Sequence, residues 1–239
     1  MRLSRSTTVC VFAKAFAPGL VKTRLIPALG ADGAAQLATA MFQDVQAVIN
    51  DLPWAHVVIA STAEYVPESL GSAAIWPQGD GHLGARLERV LRRALGSAQC
   101  AIAVGGDSPG LERRHFEQAR TLLDTYDAVL GPADDGGFYM VGLKRCPEGL
   151  FDAIRWSEAF TLGDTRMRFQ AMGLKTAFLS PWFDVDEPED VRRISRLIES
   201  GQVWSPRTAA ALRRLWLVEQ RNTGRPESDD LRGLGPGRR

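Results

Sequence analysis

The sequence has few of the residues that would build a disulfide framework or a zinc site. Its 239 residues include three cysteines, Cys10, Cys100 and Cys146, and three histidines, all scattered along the chain. An odd number of widely spaced cysteines does not suit a disulfide framework, and no Cys or His spacing matches a zinc site. Two of the cysteines lie within apolar runs, which predicts buried thiols.

Long apolar segments and an excess of one charge are also missing. Nothing approaches the run of about 20 apolar residues that a membrane span needs. The basic start of the chain, with Arg2 and Arg5, precedes an apolar run of only about five residues that Lys14 ends, too short for a secretory signal. The formal net charge of +1 gives no general attraction to nucleic acid or membrane surfaces. We therefore predict a cytoplasmic protein with no nucleic-acid or membrane partner and a locally charged site.

Strand-like and helix-like segments alternate along the chain. Apolar runs predict strands at 7–13, 56–61, 73–77, 100–107, 127–133, 137–143 and 174–180. Helical periodicity predicts helices at 31–51, 83–96, about 164–172, 188–200 and 207–220. Ser108-Pro109 predicts the start of a further helix. The alternation is typical of a mostly parallel sheet with flanking helices, in which ligands bind beyond the carboxyl ends of the strands.

The composition changes near the end of the chain. Residues 222–239 contain almost no apolar side chains, which predicts a disordered tail. No internal repeat and no linker interrupts the preceding part of the chain. We therefore predict a single α/β domain over residues 1–221, followed by that tail.

The loop after the first predicted strand concentrates positive charge. Lys14, Lys22 and Arg24 lie close together in the sequence. Their mutual repulsion is unfavourable unless an anion neutralises it, and both side-chain types bind phosphate oxygens. We interpret the loop as a diphosphate site, with a solvated loop whose cations point apart as the alternative. A Walker P-loop is excluded because Val21, not glycine, precedes the lysine.

Two acidic motifs are candidate metal sites. In GGDSPG, Asp107 follows a predicted buried strand at its carboxyl end, and one carboxylate beside substrate phosphates suits Mg²⁺. The alternative for this motif is simple helix capping by Asp107 or Ser108. In FDVDEPEDVRRI, Asp184 and Asp186 point the same way if the chain is extended. Either of them could supply a second metal ligand.

Two glycine-containing motifs complete the set of candidates. GPADDGGFYMVGL places Asp134 and Asp135 at a turn between two predicted strands. One of them would hydrogen-bond a substrate hydroxyl or act as a base, unless both serve only the turn. In PQGDGHLGARL, Gly79 and Gly84 would let a flat ligand approach the backbone, and Gln78 would read the edge of a nucleobase.

Taken in order, these motifs resemble a known family. The strings PG-VKTRL, QG---LG-RL, GGDSP, VLGPADDGGFYMVGL, F--I-WS and DVDEPEDV follow one another across residues 8–200. They are similar to the bacterial glycosyltransferase-A-like transferases of the selenodomain-associated family, and more distantly to the phospholactate guanylyltransferases. GGDSP replaces a more usual Gly-Thr-Asp-Ser-Pro, and KAFAPG lacks a proline common in that loop. Neither departure removes a charged group.

The resemblance implies a fold and a set of site residues. The fold would be a three-layer α/β/α sandwich with a mostly parallel sheet, the Rossmann-like nucleotide-diphospho-sugar transferase fold. By similarity, Lys14, Lys22 and Arg24 match a basic phosphate loop. Asp107 and Asp186 match two metal-binding aspartates, which implies Mg²⁺ or Mn²⁺ as the cofactor.

The activity that the resemblance implies is a metal-dependent group transfer. We expect a nucleotide or nucleotide-sugar donor and a small-molecule acceptor, with glycosyl transfer as the leading hypothesis and Asp135 facing the acceptor hydroxyl. A nucleotidylyltransferase that uses a nucleoside triphosphate and releases pyrophosphate is one alternative. A nucleotide-binding module without catalytic activity is another.

Overall fold

The computed structural model describes residues 6–62 and 73–223. Its strands are β1 (Thr7–Ala13), β2 (Ala55–Ser61), β3 (Ala74–Pro77), β4 (Cys100–Gly105), β5 (Ala128–Pro132), β6 (Phe138–Leu143) and β7 (Thr176–Phe178). Its α-helices are α1 (Ile26–Asn50), α2 (Leu83–Leu95), α3 (Arg113–Thr125), α4 (Thr161–Ala171), α5 (Pro188–Glu199) and α6 (Pro206–Thr223). A short 3₁₀ helix, Thr23–Leu25, precedes α1.

The strands form one sheet with the order β3-β2-β1-β4-β6-β5-β7. Four pairings are parallel: β1 with β2, β1 with β4, β2 with β3, and β5 with β7. Strand β6 is antiparallel to both of its neighbours, β4 and β5. The predicted mostly parallel sheet is therefore confirmed. This topology brings the ends of β1 and β4 and the turn before β6 to one edge of the sheet.

Helices cover both faces of the sheet because side chains alternate along each strand. On one face, Val9 and Val11 of β1 belong to a core that includes Phe42 of α1 and Phe116 of α3. On the other face, Cys10 lies in a core with side chains of α2 and α4. The predicted α/β/α sandwich is thus confirmed. Among the described helices, none combines the length and the apolar character needed to cross a membrane.

Several boundaries differ from the predicted ones. Helix α1 begins at Ile26 and includes a kink at Gly30, whose φ is 69° and ψ 166°. Ser108-Pro109 does not begin a helix: α3 starts at Arg113, with Glu112 as its N-cap residue in a capping box with His115. Local capping at Ser108 fails because its hydroxyl donates instead to a distant carboxylate, that of Asp184.

The end of the described chain is a helix held against α1. Asp44 of α1 is buried and accepts hydrogen bonds from the backbone N–H groups of Arg207 and Thr208 and from the Thr208 hydroxyl. These contacts cap the start of α6. The helix continues to Thr223, two residues into the predicted tail, and the rest of that tail, residues 224–239, lies outside the described residues.

Candidate functional site

A cavity of about 670 Å³ opens at the carboxyl ends of β1 and β4. Its wall is formed by the loop after β1, the start of α2, the end of β4, the turn before β6, and short segments that precede α4 and α5. In open α/β sheets this edge is where ligands bind. The cavity is the size of a small-molecule site.

Three charged side chains meet in this cavity. The Nζ of Lys22 donates to Asp107 Oδ2 at 2.7 Å and to Asp186 Oδ1 at 2.7 Å. The lysine side chain is only 6% exposed, whereas those of Asp107 and Asp186 are 39% and 46% exposed. These residues are 85 and 164 positions apart in the sequence. The structure therefore brings together the basic loop and both predicted metal aspartates.

Local packing explains why Lys22 points inward. Val21 packs with Ala35 and Ala38 of α1, and Leu25 is fully buried in the core between α1 and α5. The residue between these anchors has a left-handed backbone, with φ 48° and ψ 46° at Lys22. Such a conformation is uncommon for a residue with a side chain. It turns the lysine toward the aspartates while the apolar neighbours hold the loop.

The pKa values of the triad follow from this contact. Burial alone would raise the pKa of Asp107, but the ammonium of Lys22 holds it below its ordinary value, and the charge of Lys14 adds to this effect. Burial works against the ammonium of Lys22, but Asp107 and Asp186 together raise its pKa above the ordinary value. Lys22 and Asp107 therefore both remain charged at neutral pH.

A third carboxylate, Asp184, lies in the same cavity. Burial, and then the negative charge of Asp107, raise the pKa of Asp184 to about 7. Its Oδ1 accepts the hydrogen bond from Ser108 already described. The sequence left open whether Asp184 or Asp186 would bind a metal ion. In the structure both side chains line the cavity.

The carboxylates provide a donor set that fits a hard divalent cation. Asp107, Asp184 and Asp186 offer oxygen ligands, which Mg²⁺ and Mn²⁺ prefer. Lys22 is the only cation in hydrogen-bond contact with these three carboxylates among the described residues. No group of three or more His, Cys, Asp or Glu side chains within the described ranges is already arranged around a metal position. The ammonium of Lys22 lies between two of these carboxylates, those of Asp107 and Asp186, instead.

The other two cations of the basic loop are more exposed. Lys14 is exposed and lines the cavity. Arg24 also lines it, with a side chain that is 71% exposed and pairs with Glu187 at 3.3 Å. Both positions are open to an anionic ligand, and the prediction that they bind phosphate stays a prediction.

The structure separates the two aspartates of the turn before β6. Asp135 lines the cavity, and its Oδ1 accepts a 2.8 Å hydrogen bond from the Gly137 N–H. Asp134 pairs with Arg193 at 2.6 Å on the surface. Gly136, which follows Asp135, has a φ of 86° and packs against the backbone of Ala159. Asp135 is thus the aspartate of this pair that lines the cavity, and its predicted role toward an acceptor stays a prediction.

The predicted nucleobase contacts are only partly available. Gln78 is buried and lines the cavity, but its Nε2 donates to the carbonyl groups of Ala13 and Ala60. Both hydrogens of the Gln78 side-chain amide are therefore bonded to carbonyl groups of β1 and β2. This leaves the side-chain oxygen of Gln78 to contact a nucleobase. The prediction that Gly79 and Gly84 leave room for a ligand is wrong. Arg89 fills the space beside Gly79, the Trp156 ring fills the space beside Gly84, and neither glycine lines the cavity.

Comparisons with known proteins agree with the motifs. Residues 46–158 match the model of a family described as "Uncharacterized protein conserved in bacteria (DUF2064)". The family resemblance is confirmed. The matched segment contains Asp107 and Asp135, whereas Lys22 and Asp186 lie outside it. No curated protein sequence matches the chain.

Solved structures resemble the chain over most of its length. A candidate nucleotide-diphospho-sugar transferase from Desulfovibrio desulfuricans G20 is 29% identical, with a TM-score of 0.81, and the match covers 91% of this chain and 98% of the other. A nucleotidyl transferase from Methanothermobacter thermautotrophicus is 12% identical, with a TM-score of 0.60 and coverage of 82% and 99%. The 4-diphosphocytidyl-2C-methyl-D-erythritol synthase from Anaerococcus prevotii is 10% identical, with a TM-score of 0.56 and coverage of 82% and 100%. The last two likenesses show the shared fold.

Some cavity residues had no predicted role. Arg86 and Phe138 line the wall, as do Ser157 and Glu158. Ser157 has a φ of 62°. It belongs to the F--I-WS string, so that family motif marked the segment without indicating what it does. Arg86, which donates to the Gly81 carbonyl, belongs to the LG-RL string and was marked in the same way.

Proposed function

We propose that this chain is a divalent-metal-dependent transferase that uses a nucleotide-activated donor, specifically a nucleoside-diphosphate sugar. The observation that carries the proposal is the meeting of Lys22 with Asp107 and Asp186 at the carboxyl edge of the sheet. Cations from one loop and carboxylates from two distant segments provide what a metal-bound diphosphate requires. The similarity to the Desulfovibrio desulfuricans protein supports a nucleotide-sugar donor.

Each charged residue has a defined task in this proposal. Asp107, Asp184 and Asp186 hold the Mg²⁺ or Mn²⁺ ion, which when bound acts as a Lewis acid toward the diphosphate. Lys14 and Arg24 bind the phosphate oxygens and stabilise the negative charge that develops on the departing nucleotide.

The acceptor lies on the other side of the cavity, beside the turn before β6. There Asp135 accepts a hydrogen bond from the acceptor hydroxyl and orients its oxygen toward the donor. The Gly137 N–H fixes the aspartate through one oxygen and leaves the other free of that contact. Ser157 and Glu158 form the adjacent wall.

A turnover assay with two classes of donor tests the proposal. Nucleoside-diphosphate sugars and nucleoside triphosphates are offered separately with Mn²⁺ and a panel of hydroxyl-bearing acceptors, and release of nucleoside diphosphate and of pyrophosphate is measured. We expect metal-dependent release of nucleoside diphosphate. Metal-dependent release of pyrophosphate would instead establish nucleotidylyl transfer, and nucleotide binding without turnover or metal effect would establish a binding module.

Variants of neighbouring aspartates make the assay specific. Asp107→Asn is expected to abolish metal-dependent turnover, and Asp135→Asn to lower it by about 10²-fold, the usual size of a lost acid–base or orienting group. Asp134→Asn is the matched control because Asp134 pairs with Arg193 outside the cavity. Full activity of Asp107→Asn would contradict the proposed metal site.

A further inference from the structure

Lys22 occupies the place that a metal ion shared by two aspartates would need. Its Nζ lies 2.7 Å from an oxygen of Asp107 and 2.7 Å from an oxygen of Asp186. An ammonium and a metal ion cannot both lie between the same two oxygens, since Mg²⁺ binds its ligands at about 2.0–2.1 Å. A cation that binds these same two oxygens, Asp107 Oδ2 and Asp186 Oδ1, therefore has to displace the lysine ammonium.

Displacement is unfavourable while the cavity holds no phosphate. The Lys22 side chain is 6% exposed, and leaving the aspartates would cost it two ion pairs at once. Breaking a buried ion pair leaves an uncompensated charge, which is strongly unfavourable. The left-handed backbone of Lys22, anchored by the buried Val21 and Leu25, also holds its side chain in this direction.

A diphosphate would give the displaced ammonium a new partner. Lysine has a long flexible stem, and two further cations of the same loop, Lys14 and Arg24, line the same cavity. Moving from carboxylate to phosphate preserves the ion pairing of Lys22. The two aspartates then become available to a divalent cation.

We propose that Lys22 is a displaceable internal cation that couples metal binding to donor binding. In the free chain it holds Asp107 and Asp186 and competes with the metal; with a diphosphate present it pairs with phosphate and releases both aspartates. This inference rests on the proposed nucleotide donor. Metal and donor then bind with positive cooperativity, and each raises the affinity for the other by the same factor.

Binding of Mn²⁺ alone, measured by electron paramagnetic resonance of the free ion, tests the competition. Lys22→Met is expected to bind Mn²⁺ at least about tenfold more tightly than the native chain, because the competing ammonium and its two ion pairs are gone. Lys175→Met is the matched control: it also replaces a lysine by methionine, but Lys175 is exposed and lies outside the cavity lining. Its Mn²⁺ affinity is expected to stay within about twofold of native. Equal or weaker binding by Lys22→Met overturns the proposal.

Chemical labelling of the native chain tests displacement directly and does not depend on how the variant folds. Lysines are acetylated with limiting acetic anhydride and quantified by mass spectrometry, with the exposed Lys175 as internal reference. Saturating Mn²⁺ without phosphate is expected to increase labelling of Lys22 relative to Lys175. Unchanged labelling while Mn²⁺ is bound also overturns the proposal.

Neither measurement requires turnover, so the two proposals fail separately. A chain that shows the Mn²⁺ response at Lys22 but transfers no group would contradict only the proposed transferase function. A chain that transfers a group while Lys22→Met binds Mn²⁺ no more tightly than native would contradict only the coupling.

Discussion

The carboxylate of Asp184 is expected to reduce the stability of the metal-free chain. Burial, and then the charge of Asp107, raise its pKa to about 7 in the folded chain, against an ordinary value of 3.8. Between these two values the folded chain keeps a proton that the unfolded chain has lost. Stability therefore falls as the pH rises through this interval, and the full cost is present above pH 7. The change Asp184→Asn removes the ionisation and with it this cost.

The pKa difference sets the size of the effect. The interval between 3.8 and about 7 corresponds to an upper limit of about 4 kcal/mol. Asparagine keeps an oxygen that accepts the hydrogen bond from Ser108, so the substitution leaves that contact in place. The pKa of about 7 already includes the opposing attraction to Lys22. We expect a gain of about 2–4 kcal/mol, or roughly 5–15 °C in Tm for a domain of this size.

Thermal unfolding in the presence of a chelator measures this gain as a function of pH. The difference in Tm between Asp184→Asn and the native chain is expected to be small near pH 4 and to grow to its maximum above about pH 7. Asp134→Asn is the control, since its exposed ion pair contributes about 1 kcal/mol or less. An Asp184→Asn variant no more stable than native at pH 8, or one stabilised equally at every pH, would refute the reasoning.

Three further substitutions test the packing around the cavity, and urea unfolding measures each of them. Asp44→Ala leaves the buried start of α6 without its acceptor and is expected to cost about 2–3 kcal/mol; a cost below about 0.5 kcal/mol would contradict its role as the cap. Gly136→Ala forces a side chain into a positive φ and against the Ala159 backbone, and should cost about 1–3 kcal/mol; a neutral effect would show that this turn can move. Tyr139→Phe removes the hydrogen bond to the Ser180 carbonyl and should cost about 1 kcal/mol, and a stabilised variant would contradict that contact.

The elements and their order could be predicted because they depend on local patterns. The apolar run that forms β1 places Val9 and Val11 on one face and Cys10 on the other, which the alternation of a strand requires. The carboxyl edge of the sheet could likewise be predicted as the place of the site. Loops after β1 and β4 had to meet there, and they bring Lys22 to Asp107.

Features that depend on distant partners could not be predicted. Ser108 has the sequence context of a helix start, but no helix begins there. Its hydroxyl donates instead to the carboxylate of Asp184, 76 residues away. Gly79 and Gly84 have the composition of a ligand loop, but protein side chains fill the space beside them. In each case a tertiary contact, invisible in the local pattern, decides between two locally reasonable outcomes.

The unfavourable features of this chain are concentrated at one cavity, and this distribution is informative. Of the three non-glycine residues with positive φ in the described ranges, Lys22 and Ser157 line the cavity. The raised pKa of Asp184 adds a second kind of cost at the same place. A chain selected for stability alone would lose little by replacing an aspartate whose ionisation opposes folding. A divalent cation would relieve the repulsion at Asp184, and a diphosphate would receive the ammonium that the cation displaces. Backbone strain and an unfavourable ionisation that coincide at one cavity favour a binding and catalytic role over a structural one.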